Sequence, residues 1–252
     1  MKYVLGIIVL AAAVGVWYVM AGPGSMMTKN EVATTTANAG LQPATPVETN
    51  TAPTRTVVTE GAYTVNASSS IVNWSGKKPL IDGYTNSGTI GVTAGTIKVA
   101  TTSATGEFTI DMNTLDVGLT AKKPGQEGAL TGHLKGDKWF DVAKYPTAKF
   151  VIKSVKARPD SATTFTYDIT GDLTMKGKTN EITFPATIFA DEQGMLHADA
   201  ATEIDRTKWG LTFGSGSFFD DLADNVIDDM AALSFKLVAK KNQSKTERVK
   251  GR

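Results

Sequence analysis

Between Phe165 and Met175 apolar and polar residues alternate. Phe165, Tyr167, Ile169, Leu173 and Met175 fall on one side, and Thr166, Asp168, Thr170, Asp172 and Thr174 on the other. A period of two predicts a half-buried strand. The same pattern recurs in IVNWS (Val72, Trp74 inward), GEFTIDM (Phe108, Ile110, Met112), AKFVI (Phe150, Ile152), EITFPATIF (Ile182, Phe184, Ala186, Ile188), MLHADAATEI (Leu196, Ala198, Ala200, Ile204) and AALSFKLVA (Leu233, Phe235, Leu237, Ala239). Joins such as MKGKTNE and ADEQG are short and rich in Gly, Asp, Asn and Lys, and no helical pattern of three turns separates the strands. Parallel crossovers are thereby disfavoured, and an all-β antiparallel sandwich or barrel is expected. Closure of roughly eight one-faced strands into a barrel would remove exposed edges.

The pattern also divides the chain. Residues 1–21 hold one lysine, Lys2, and an unbroken apolar run from Tyr3 to Ala21. Such a run is membrane-directed: its length suits an uncleaved anchor, while the small residues before Gly22 suit a signal peptide cleaved after Ala21. Residues 22–60 are rich in Thr, Ala and Pro without periodicity and read as a disordered linker. Residues 61–240 are the β domain, and 241–252 a disordered polar tail. This order predicts a domain facing the periplasm or exterior of a bacterial cell envelope, either anchored in the inner membrane or released there.

Composition removes several classes of function. The net charge of +1 and the lack of a basic stripe argue against nucleic acid, and the absence of cysteine excludes disulfides and thiolate metal sites. With two histidines, His133 and the outward-facing His197, ligands for a metal are too few, and no G-x-S-x-G nucleophile turn occurs. The acidic run FFDDLADNVIDD lacks the spacing of a calcium loop and reads as solvated, with Phe218, Phe219, Leu222 and Val226 closing one end of the barrel. No catalytic residues, metal or cofactor are assigned. Arg206 reads as a clamp on a loop carboxylate or chain end, with anchoring of a polar ligand head as the alternative.

Thr131–Phe150, TGHLKGDKWFDVAKYPTAKF, is dense in unusual residues, but Asp137 and Asp141 interrupt its lysines. Trp139 and Phe140 read as an apolar plug, and Tyr145-Pro146 as the start of a strand. This stretch, with GDLTMKGKTNEITFPA, EIDRTKWGL and FGSGSFFDDLADNVIDD, resembles the YceI-like family of lipid- or polyisoprenoid-binding domains over roughly Gly61–Lys240. The resemblance implies an extended lipocalin-like barrel with an apolar channel, a short helical loop at HLKGDKWFD and no known catalytic set. Two departures are visible: NASSSIVNWSGKKPL has no histidine where isoprenoid-holding relatives usually begin with a histidine-serine step, and Leu130, Thr131 and Gly132 replace their Arg-Asp before the histidine-leucine step at His133.

A non-enzymatic barrel binding an apolar chain (a polyisoprenoid, quinone or fatty acyl lipid) is therefore expected. Its interior would be lined by Trp74, Phe108, Ile110, Phe150, Phe165, Tyr167, Phe184 and Phe235, and its rim or gate would hold His133, Trp139, Phe140, Arg206 and Trp209. The membrane would be a second partner through the N-terminal segment, and both a monomer and a homodimer fit the sequence. The alternative is a filled barrel, structural or stress-related, that works through protein contacts at an apolar rim patch around Trp139, Trp209 and Phe219.

Overall fold

The computed structural model describes residues 54–159 and 164–243. Their strands are β1 (Gly61–Val65), β2 (Ile71–Lys77), β3 (Thr85–Ala100), β4 (Ser103–Thr120), β5 (Thr147–Ala157), β6 (Thr166–Met175), β7 (Lys178–Ala190), β8 (Leu196–Asp205) and β9 (Met230–Lys241), with one α-helix, α1 (Glu127–Lys135). The apolar segment 1–21, most of the linker and most of the tail lie outside the described residues. Among the described residues no helix is long and apolar enough to cross a membrane.

Strands β2 to β9 pair antiparallel in the order β3-β2-β9-β8-β7-β6-β5-β4, and pairing of β3 with β4 closes an eight-stranded barrel. Strand β1 pairs with the far halves of β3 and β9, so that β1 and β2 act as one interrupted strand. The interruption is a short 3-10 turn at Ala67–Ser69. There the buried Ser70 hydroxyl accepts from Val238 N (3.0 Å) and donates to Val238 O (3.3 Å), replacing the missing backbone pairing.

Strand β3 escapes the alternation rule because its pairing with β4 shifts register at Ser87/Gly88, Thr89/Gly91 and Val92/Ala94. Each bulge resets which face a residue occupies. The Thr114 hydroxyl repairs one break, accepting from Gly91 N (2.7 Å) and donating to Asp111 O (2.7 Å).

The two ends of the barrel differ. One carries the β3–β4 hairpin turn, the start of β1 and the end of β9, and is called here the hairpin end. The other carries α1 and the segment between β8 and β9, and is called the helix end. Thr131 ties α1 to the barrel by accepting from Val117 N (3.0 Å), and Leu134 is buried beneath it. Trp209 is 1% exposed and donates to Leu173 O (2.9 Å). It is a core residue and not part of the rim: a loop tryptophan can cover much apolar area once its N–H finds an acceptor.

Candidate functional site

The inward rows of the barrel do not fill it. A cavity of about 230 Å³ occupies the hairpin end and one of about 300 Å³ the helix end. Between them stand four phenylalanines. Phe108 meets Phe150 with ring centroids 5.5 Å apart, Phe150 meets Phe184 at 5.6 Å, Phe184 stacks on Phe235 at 5.6 Å, and Phe235 meets Phe108 edge-on at 6.4 Å. The contacts close on themselves as a girdle. The strands confirm its level. On β5, Ile152 lines the hairpin-end cavity and Ala148 the helix-end cavity, on β6 the change falls between Ile169 and Leu173, and on β8 between Ala200 and Ile204. Side chains on one face of a strand recur every second residue, so consecutive inward residues line successive levels.

Of the residues expected inside, Phe108, Phe150, Phe184 and Phe235 form the girdle, Tyr167 lines the hairpin-end cavity, and Trp74 and Ile110 line the helix-end cavity. Phe165 departs from the expected pattern. It precedes β6 with a left-handed backbone (φ 56), which breaks the alternation it would share with Tyr167, and it lines neither cavity. The filled barrel of the alternative reading is likewise corrected by the two cavities.

At the helix end, Leu130, His133 and Leu134 of α1 face the cavity. Their spacing of three and four residues puts them on one side of the helix. Trp139 and Phe140 line the same cavity, and Trp139 packs against Phe213 (5.7 Å) and beneath the Arg206 guanidinium (5.3 Å). Lys176 holds this loop by donating to the carbonyls of Asp137 (3.3 Å) and Trp139. His133 is exposed at the mouth, and its imidazole makes no hydrogen bond or ion pair among the described residues. Phe218 and Phe219 point outward, and it is Phe213 and Ile227 that line the opening.

Arg206 lines this cavity, yet its expected place on a rim or gate needs correction. It is 4% exposed. Its Nε donates to Asp228 O (2.9 Å), Nη1 to Leu211 O and Phe213 O (3.2 Å), and Nη2 to Ile227 O (3.0 Å) and Asp229 Oδ1 (3.4 Å). A guanidinium has five N–H donors, and all are committed. Burial pulls the Arg206 pKa below its ordinary value against the pull of Asp229, Asp205 and Asp228. Burial works to raise the Asp229 carboxyl, but hydrogen bonds from Ser215 and Ser217 and the Arg206 charge outweigh it and hold the group low.

His197 faces outward, as the alternation predicts; its Nε2 meets Asp191 Oδ2 (2.8 Å), and its ring stacks on Phe189 at 5.0 Å.

Among the described residues, two side-chain polar atoms of the helix-end wall are shielded from solvent and have no hydrogen-bond partner: Trp74 Nε1 and Asn86 Oδ1. Asn86 was not legible as a site residue, because it lies on bulged β3 where the alternation fails.

Comparison with known proteins agrees with this architecture. The YceI-like domain family matches residues 63–239. UPF0312 proteins of Pseudomonas putida (strain F1) and Pseudomonas syringae pv. tomato are 51% and 46% identical over 55 residues, which is 22% of this chain and 27% of theirs. The matched segment therefore spans about a quarter of those curated relatives. Among solved structures, Burkholderia cenocepacia BcnA superimposes with a TM-score of 0.53 at 24% identity, covering 70% of this chain and 99% of its own. A polyisoprenoid binding domain from Saccharophagus degradans, implicated in plant cell wall breakdown, gives 0.51 at 15% identity, covering 71% of this chain and 98% of its own. Both likenesses show the fold. With the family match extending over more than half of its 252 residues, the chain belongs to the YceI-like domain family.

Proposed function

We propose that this protein binds an apolar chain of the polyisoprenoid, quinone or fatty acyl kind inside its barrel, without chemical conversion. The observation that carries the reading is the pair of apolar cavities inside a closed barrel, the larger about 300 Å³. Native interiors are packed with few voids, so space of this size lined by side chains such as Ile110, Leu173 and Leu233 is a feature of use. The binding described for the Saccharophagus degradans domain of the same fold supports the ligand class. A binding role is also favoured over catalysis by the chemistry at the mouth, where His133 has no acid partner among the described residues and Arg206 has no free donor.

The apolar run at residues 3–21 supports a further part of the reading: the barrel is exported to the cell envelope, held by that segment or released from it. Native mass spectrometry of the full chain purified from its own cells, followed by organic extraction, tests the binding. A co-purifying apolar molecule of defined mass is expected. Recovery of empty protein that takes up neither prenyl nor acyl probes would overturn it.

A further inference from the structure

We infer that the hairpin-end cavity is a binding site of its own, for a compact uncharged apolar molecule, and that residues 55–60 are its movable cover. The inference rests on the proposed binding of an apolar chain and adds to it a second site of different selectivity.

The two cavities differ in their walls. The helix end is lined by the ionisable side chains of Lys77, Lys78, His133, Arg206 and Asp228. Among the described residues, no lysine, arginine, histidine, aspartate or glutamate lines the hairpin end, whose polar side chains are the hydroxyl-bearing Thr101, Thr102, Ser103 and Tyr167. A charged group drawn in there would lose its water and meet no counter-ion. The four-ring girdle bounds this cavity on its inner side, so its occupant enters by the hairpin-end mouth.

Residues 55–60 lie at that mouth. Thr56 bridges to Ala190 at the end of β7 and Gly61 pairs with Val99 near the end of β3, so the residues between them run from β7 to β1, which β8 and β9 separate in the barrel order. Val57 and Val58 line the cavity on the way, and Val58 packs against the core. The segment is held at two points. Upstream, Thr56 N donates to Ala190 O (2.9 Å) and Ala190 N to Thr56 O (2.8 Å), and the Arg55 guanidinium sits 4.6 Å over the Phe189 ring. Downstream, Thr59 O accepts from the hydroxyl of buried Tyr63 (2.7 Å), and Thr59 Oγ1 accepts from Lys241 Nζ (2.9 Å). Between these points the backbone of Val57 and Val58 makes no hydrogen bond among the described residues. Exposed hydrogen bonds and few buried contacts mark a segment that opens locally at low cost. The upstream point is an isolated bridge, whereas Thr59 is tied to a strand, so the cover parts at Thr56 and turns about Thr59.

The chain has no cysteine, so this joint can be locked without side reactions. Thr56 and Ala190 exchange both backbone bonds, a pairing that sets Cα atoms about 5.5 Å apart, within the span of a disulfide. The test takes the full chain carrying Thr56→Cys with Ala190→Cys, oxidised and then reduced, and follows uptake of the neutral dye N-phenyl-1-naphthylamine by stopped-flow fluorescence beside the unaltered protein. Oxidation is expected to leave one phase of uptake, at the helix end, in place and to slow another about tenfold, and dithiothreitol to restore the fast phase. The anionic dye 8-anilino-1-naphthalenesulfonate should show no phase that the disulfide slows. Neutral-dye uptake without a disulfide-sensitive phase would overturn the inference while leaving the apolar-chain reading intact, and so would failure of the disulfide to form, since Thr56 would then not rest on Ala190. A disulfide-sensitive phase for the anionic dye would overturn the selectivity. No uptake of either dye by the unaltered protein would bring down the binding reading and the second site with it.

Discussion

Arg206 shows how one residue can decide the shape of a loop. Its guanidinium gathers the carbonyls of Leu211, Phe213, Ile227 and Asp228 and the Asp229 carboxylate, and so holds both ends of the segment joining β8 to β9. Arg206→Met would keep much of the volume and strand these acceptors. Loss of one partner from a buried ionic group costs roughly 3–5 kcal/mol. Urea unfolding of the variant should show a loss of that size, and Arg206→Lys should recover only part, because an ammonium cannot reproduce the planar fork. A loss below about 1 kcal/mol, the range of an exposed pair, would show that the loop does not depend on the clamp. The clamp reading of Arg206 was available from the sequence, since adjacent strand residues face opposite ways and Arg206 at a strand end must find its partners away from Asp205. Burial of Trp209 was not: it lies outside any alternating run, and only the distant Leu173 carbonyl explains its place. Asn86 was hidden for a related reason, because its inward position depends on a register set by pairing with β2.

At the level of elements, legibility follows regularity. Strands β7 to β9, and β6 from Tyr167 onward, read correctly because the pairings among these four strands run without register shifts. Strand β3 does not, since its bulges move Ile90 and Val92 out of phase with Ile97 and Val99 although all belong to the core. The girdle depends on one gap in β6, beside the register shift of its pairing with β5. On β6, Gly171 leaves the space that the Phe150 ring enters: a side-chain carbon there would meet Phe150 Cζ at 2.4 Å and Val151 O at 2.5 Å. Glycine inside a strand marks such close approaches. Gly171→Ala should therefore cost about 1–3 kcal/mol of stability through overpacking. Phe150→Leu in the same chain should restore part of the loss, by removing Cζ while leaving the Val151 carbonyl in the way. A double-mutant cycle in urea gives the coupling, and additive effects would mean that Phe150 does not occupy the gap.

For the whole barrel, the girdle sets the question of ligand length. The two cavities open toward opposite ends and meet only at the level of Phe108, Phe150, Phe184 and Phe235, so a chain entering from the helix end reaches an aromatic wall. Each added isoprene unit contributes affinity only while it buries apolar surface. In the unaltered protein, affinity across geraniol, farnesol and geranylgeraniol should rise and then level once the helix-end cavity is full. Phe184→Ala opens the wall between its neighbours Phe150 and Phe235 and joins the cavities. The plateau should then move to the longer alcohols, even though the substitution lowers stability by roughly 3–5 kcal/mol. Affinity that keeps rising with length in the unaltered barrel, with no change of slope in the variant, would mean that the rings swing aside readily and that one continuous channel serves the ligand. A plateau that moves only when Phe184 is cut back would identify the four rings as the element that measures the chain.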